Sequence, residues 1–169
     1  MNKPEVAYVA LDLSQSFKDY LSRITKQMVV EEEYYVSPVM PHINGDVTNN
    51  AHLKFFYGLD PSAANNQDLL DVIKATDLGE LELGDFMIIE GFQGLYRILA
   101  VKVVDKDKKL SAFVNKIRTF SSRPNSYEFK PHITLAYVHK DFQLPADLPE
   151  EKPEVQELIT GDKIRISIS

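Results

Sequence analysis

The chain of 169 residues contains no cysteine, which excludes a disulfide framework and any thiolate-bound zinc and agrees with a reducing compartment. It also lacks any stretch approaching the roughly 20 apolar residues of a membrane-spanning helix. Its first residues, Met1-Asn2-Lys3-Pro4-Glu5, show neither the basic start nor the apolar run of a signal peptide, so a cytoplasmic protein is expected. Positive charge is in deficit: 19 Lys and Arg stand against 25 Asp and Glu, a net charge of -6. Such a field repels long polyanions, so duplex DNA is not an expected partner, and a phosphate-bearing ligand should be a small nucleotide or an RNA terminus held by a few local cations. No His/Asp/Glu spacing resembles a metal site, and no repeat of fixed period occurs.

What is present describes an ordinary globular chain. Apolar residues make up 44% and charged residues 26%, enough to bury a core and far from the composition of disorder. One domain over residues 1–169, folding alone as a monomer, is the expectation.

Apolar periodicity sets the elements. Glu5 to Leu13 alternates as a half-buried strand, with Val9, Leu11 and Leu13 on one face and Tyr8, Ala10 and Asp12 on the other. Ser14 reads as a cap for a helix whose Phe17, Tyr20, Leu21, Ile24 and Met28 form one face. Residues 31–51 carry an acidic run, two prolines and Asn/Gly pairs, and read as a long loop of the kind that is often functional or mobile. A short strand starts at His52, and Asp60-Pro61-Ser62 reads as the opening of a second helix that buries Leu69, Leu70, Val72 and Ile73. Two β-rich runs follow, joined at Gly91-Phe92-Gln93-Gly94, then a third helix marked by Leu110, Phe113, Val114 and Ile117. A strand starts at His132, prolines punctuate an acidic connector, and Ile164, Ile166 and Ile168 close the chain as a last strand. Helices segregate from strands and hairpins, so the class is α+β with largely antiparallel sheets and flanking helices.

A loop thus delivers a histidine to the start of a short strand once in each half. Side chains at i and i+2 of a strand share a face, so His132 and Thr134 point one way, with Ile133, Leu135 and Tyr137 expected on the other. By the same alternation His52, Lys54 and Phe56 share a face, and Phe56 becomes a candidate base-stacking residue. Two histidines on one cleft can divide a phosphoryl transfer, one imidazole taking a proton and one imidazolium giving one. Lys54 and Thr134 can hold the non-bridging phosphoryl oxygens. Among further candidates, Tyr34, Tyr35, Arg97, Arg123 and Lys130, the last two are the preferred substrate contacts. His42 and His139 read as exposed loop and strand-end residues.

Phe129-Lys130-Pro131-His132-Ile133-Thr134-Leu135 resembles the signature of the 2H phosphoesterases, a histidine, any residue, then threonine or serine, occurring twice. That family includes bacterial RNA 2',5'-ligase-like proteins and cyclic nucleotide phosphodiesterases. The first copy, His52-Leu53-Lys54-Phe55-Phe56-Tyr57-Gly58, is similar in its histidine, its apolar residues and its closing Tyr-Gly, with Lys54 where threonine is expected. The resemblance implies a two-lobed, pseudo-twofold α+β fold with a groove between the lobes. It also implies metal-free cleavage of small nucleotide phosphodiesters (2',3'-cyclic phosphates, 2',5' linkages or cyclic oligonucleotides), with His52 and His132 catalytic and no cofactor. Lys54 in place of threonine leaves an alternative, a nucleotide- or RNA-end-binding module without turnover.

Overall fold

The computed structural model describes residues 7–121, 129–149 and 164–168. In chain order the regular elements are β1 (Ala7–Asp12), α1 (Gln15–Met28), β2 (His52–Leu59), α2 (Gln67–Lys74), β3 (Leu81–Glu90), β4 (Tyr96–Asp105), α3 (Lys109–Arg118), β5 (His132–His139) and β6 (Ile164–Ile168). The strands form one six-stranded sheet in the order β3-β4-β5-β2-β1-β6, every neighbour antiparallel. The α+β class read from the sequence holds. A β-α-β unit occurs twice, as β1-α1-β2 and β4-α3-β5, and the two copies meet where β2 pairs with β5.

The helices form because their apolar residues fall on one stripe. Phe17, Leu21, Ile24 and Met28 of α1 and Leu110, Phe113, Val114 and Ile117 of α3 join one core cluster with Val9, Leu11, Leu53, Val101 and Ile133 from the strands. Phe55 meets Phe113 edge to face at 5.2 Å between ring centroids. Ser14 caps α1 as expected, its hydroxyl oxygen accepting from the Phe17 amide at 3.3 Å. The second helix differs from the expectation: Pro61–Asn65 is a separate 3₁₀ turn, and Asn66 caps α2 through its side-chain oxygen and the Leu69 amide. Asn66 offers a capping oxygen six residues after Asp60, and only Leu69 of that helix is fully buried.

Residues 31–51 do not form a free loop. Tyr35 donates to the Tyr137 carbonyl, Tyr137 to the Gly45 carbonyl and Val47 to the Leu135 carbonyl, at 3.0, 2.8 and 3.0 Å. Isolated bridges join Tyr34 to Val138 and Asp46 to Ala136, and Val36 to Asn44 within the segment itself. The chain leading into β2 therefore already runs beside β5 as a short ribbon. Backbone donors beside an unpaired strand edge are satisfied by pairing with it, which the turn-rich composition concealed. Tyr35 then stacks on Tyr96 at 5.3 Å, and Tyr96 meets Tyr137 edge to face at 5.7 Å.

Burial, then the nearby carboxylates of Asp46 and Glu33, push the Tyr34 phenol up; burial, then Tyr96, pushes up that of Tyr137. Both phenols are thus held neutral in the fold beyond the value of about 10 they have in an unfolded chain. Their contribution to stability is complete below that pH and is lost as pH rises through the folded values. Urea midpoints should fall as pH is raised above about 10, in step with phenolate absorbance; a flat midpoint there would contradict the burial of these rings. Hydrogen exchange gives a second check: the amides of Tyr35, Val47 and Tyr137 should exchange as slowly as strand amides, whereas a lid would leave them fast.

Candidate active site

His52 and His132 each open a strand, and those strands are neighbours. Leu53 pairs with Ile133 in antiparallel register, and both are fully buried. Continuing that register by one residue each way sets His52 level with Thr134, and Lys54 level with His132. These four residues therefore occupy one face of two adjacent strands, with the histidines on a diagonal, roughly 7–8 Å apart at the backbone. The opposite face is the core.

The rings are oriented by the same bond twice. Nδ1 of His52 lies 2.8 Å from the Asn50 carbonyl oxygen, and Nδ1 of His132 lies 2.8 Å from the Lys130 carbonyl oxygen. A carbonyl oxygen only accepts, so Nδ1 carries the proton in both rings and Nε2 is the nitrogen left to gain and lose one. In the first half the carbonyl comes from the turn Thr48–Asn50, which Asp46 fixes by accepting from the Thr48 amide and hydroxyl at 2.9 and 2.5 Å. In the second half it precedes Pro131, which restricts Lys130 to extended backbone. The Pro131 carbonyl in turn accepts from the Val103 amide at 3.0 Å.

A β-bulge follows each histidine at the same distance. Ala10 pairs with Lys54 but Val9 with Phe56, leaving Phe55 extra; Ala100 pairs with Thr134 but Leu99 with Ala136, leaving Leu135 extra. Each bulge reverses the alternation beyond it. Phe56 accordingly does not share the histidine face: it is 5% exposed and belongs to the core beside Phe55 at 2%. Buried in the core, Phe56 does not reach the histidine face to stack a base, contrary to what the sequence period suggests. Tyr137, expected on the core face, instead pairs with Ile98 two residues from the Ala100 that pairs with Thr134, which puts it on the histidine face. Neither bulge leaves a mark in the two-residue apolar period.

The flanking strands complete the floor. Asp12 is the cross-strand partner of His52 and Lys102 that of His132, while Ala10 and Ala100 sit beside Lys54 and Thr134. Two buried alanines at matching places keep the floor low under the polar groups. The Tyr8 ring lies 6.3 Å from that of His52, and Lys54 Nζ stands 5.1 Å from the Tyr8 centroid, within cation–π range. Lys130 is exposed next to the second motif. Arg123 lies outside the described residues. Arg97 is engaged away from the dyad, with Glu90 at 3.0 Å and the Phe142 carbonyl at 2.8 Å. Sequence reading missed Asp12, Lys102 and Tyr8 as neighbours of the dyad, because only strand pairing brings them there. Among the described residues no cluster of three or more metal-binding side chains occurs, and no helix is long and apolar enough to cross a membrane.

No protein-family model and no curated protein matches the chain. Solved structures do. Escherichia coli LigT complexed with NADP+ superposes with a TM-score of 0.61 at 16% identity, covering 91% of this chain and 84% of that one. E. coli LigT complexed with 3'-AMP gives 0.56 at 16% identity, over 90% and 84%. A structure described as a phosphoesterase gives 0.59 at 14% identity, over 90% and 84%. The chain thus has the fold of LigT and of that phosphoesterase, the fold the two histidine motifs implied.

The paired carbonyl bonds can be checked directly. Long-range proton–nitrogen correlation spectra should show Nδ1–H as the neutral tautomer of both His52 and His132; an Nε2–H tautomer in either ring would contradict the geometry.

Proposed function

We propose that this chain is a phosphodiesterase that cleaves small nucleotide phosphodiesters by acid/base catalysis between His52 and His132. The observation that carries the reading is the repeated Nδ1-to-carbonyl bond, which presents two Nε2 atoms from one sheet face across a diagonal wide enough for a phosphoryl group. One Nε2 starts unprotonated and takes a proton from the attacking water as its oxygen bonds to phosphorus. The other starts protonated and gives its proton to the ribose oxygen as the phosphorus–oxygen bond to it breaks. The dyad ends with its protons exchanged and resets through solvent. Thr134 donates to a non-bridging oxygen, and Lys54 neutralises the charge that threonine would meet with a hydroxyl.

The neighbours favour nucleotides as the substrate class, since LigT is seen with NADP+ and with 3'-AMP. A 2',3'-cyclic phosphate, a 2',5' linkage or the end of an RNA fits the same chemistry. Net charge of -6 favours a short ligand over a long nucleic acid. Lys54 is the specific observation that favours the second reading, a groove that binds nucleotide without turning it over.

Hydrolysis of 2',3'-cyclic nucleotides, 2',5'-linked dinucleotides and cyclic dinucleotides in EDTA separates the two. Turnover should follow a bell-shaped pH dependence and fall at least about 100-fold in His52→Ala and in His132→Ala. Because the two residues act as a unit, the double variant should be little worse than either single one. Wild-type protein that binds nucleotide and turns over none of the panel would overturn the enzymatic reading in favour of the binding module.

A further inference from the structure

The two halves of the site match in backbone and differ in charge. At the place beside His52 the flanking strand supplies Asp12; at the equivalent place beside His132 it supplies Lys102. Strands lie about 4.8 Å apart, so Lys102, on β4, is one strand beyond His132 on the side away from His52. A phosphoryl group held between the two histidines would lie over β2 and β5, and Lys102 would be on its far side.

Two other lysines follow Lys102, just after β4 and at the start of α3, and both are engaged by carboxylates. Lys106 is paired with Glu80 and Glu82, and Lys109 with Asp77 at 2.7 Å. Lys102 is exposed, and no ion pair joins it to a carboxylate among the described residues, although acidic residues outnumber basic ones and Asp85 lies in the β3 bulge facing it. From that bulge Gly84 leaves its stem room: a Cβ on Gly84 would stand 3.3 Å from Lys102 Cβ and 3.1 Å from Val104 Cγ2. In an acidic protein, an exposed ammonium on the histidine face with no carboxylate ion pair among the described residues is available to a ligand anion.

We propose that Lys102 determines specificity by binding a second phosphate of the substrate, so that the preferred ligand is a nucleotide carrying a terminal phosphate in addition to the reacting diester. The charge asymmetry also fixes its direction. The second phosphate lies toward β4, where the exposed Lys102 ammonium stands on the histidine face, and not toward β1, where the equivalent position is the acidic Asp12. This rests on the phosphodiester reading for the position of the groove and does not need turnover.

The test is binding of adenosine 3',5'-bisphosphate against adenosine 3'-monophosphate by titration calorimetry to wild type, Lys102→Gln and Lys106→Gln. Wild type should prefer the bisphosphate by at least about tenfold, as one charge-assisted contact allows. Lys102→Gln should bind the two ligands within about twofold of each other, with monophosphate affinity kept, and Lys106→Gln should retain the wild-type preference. The preference should shrink as salt is raised. No preference in wild type, or an undiminished preference in Lys102→Gln, overturns the proposal. A Lys102-dependent preference without hydrolysis of any diester would leave it standing while the enzymatic reading fails; hydrolysis with no such preference would do the reverse.

Discussion

The pairing of Leu53 with Ile133 at the middle of the sheet is the constraint from which the rest of the site follows. Both side chains are buried between the sheet and its helices, so neither strand can slip by one residue without turning its apolar set to solvent and its histidine into the core. A slip would bury a polar ring and expose a leucine or isoleucine, costs of about 1–3 kcal/mol each. The register holds two half-buried imidazoles on one face, and the core that fixes it is supplied by the helices of both β-α-β units. Positioning on rigid strands, with each ring oriented by a backbone carbonyl, is what acid/base work between two groups requires.

Around that join the two halves are alike in backbone and unlike in charge. The carbonyl two residues before each histidine, the bulge three residues after it, and the alanine beside the next site residue all recur. Lys54 against Thr134 and Asp12 against Lys102 do not. Duplicated geometry and divergent charge suit the proposed reaction, a symmetric proton exchange at a phosphoryl group on a ligand whose two ends differ. The ribbon formed by residues 34–47 extends the same logic, because it anchors the approach to His52 on β5 in place of leaving it on an open loop.

Much of this was legible in the residues. Helical spacing located α1 and α3, strand alternation located β1, and the histidine followed two residues later by threonine marked the second half of the site. Two of the differences share one cause. A bulge adds a residue to one strand without altering its apolar character, so Phe55-Phe56 and Leu135-Ala136 read as ordinary alternation when both members of each pair are buried. That hid Phe56 in the core and concealed Tyr137 on the histidine face. Pairing across the sheet was likewise invisible to a one-dimensional reading, which is why Asp12 and Lys102 could not be placed beside the dyad. The pairing of residues 34–47 is hidden because their bonds go to β5, about 90 to 100 residues away in the chain, and local turn chemistry carries no trace of such a partner.

The most direct test of the account is a crystal structure of the protein with a nucleoside and vanadate, whose five-coordinate complex imitates the phosphoryl group in transit. Vanadium should lie between the strands β2 and β5, with one apical oxygen facing Nε2 of His52 and the other facing Nε2 of His132. Vanadate bound away from this face, or with both histidines on the same side of the metal, would contradict it.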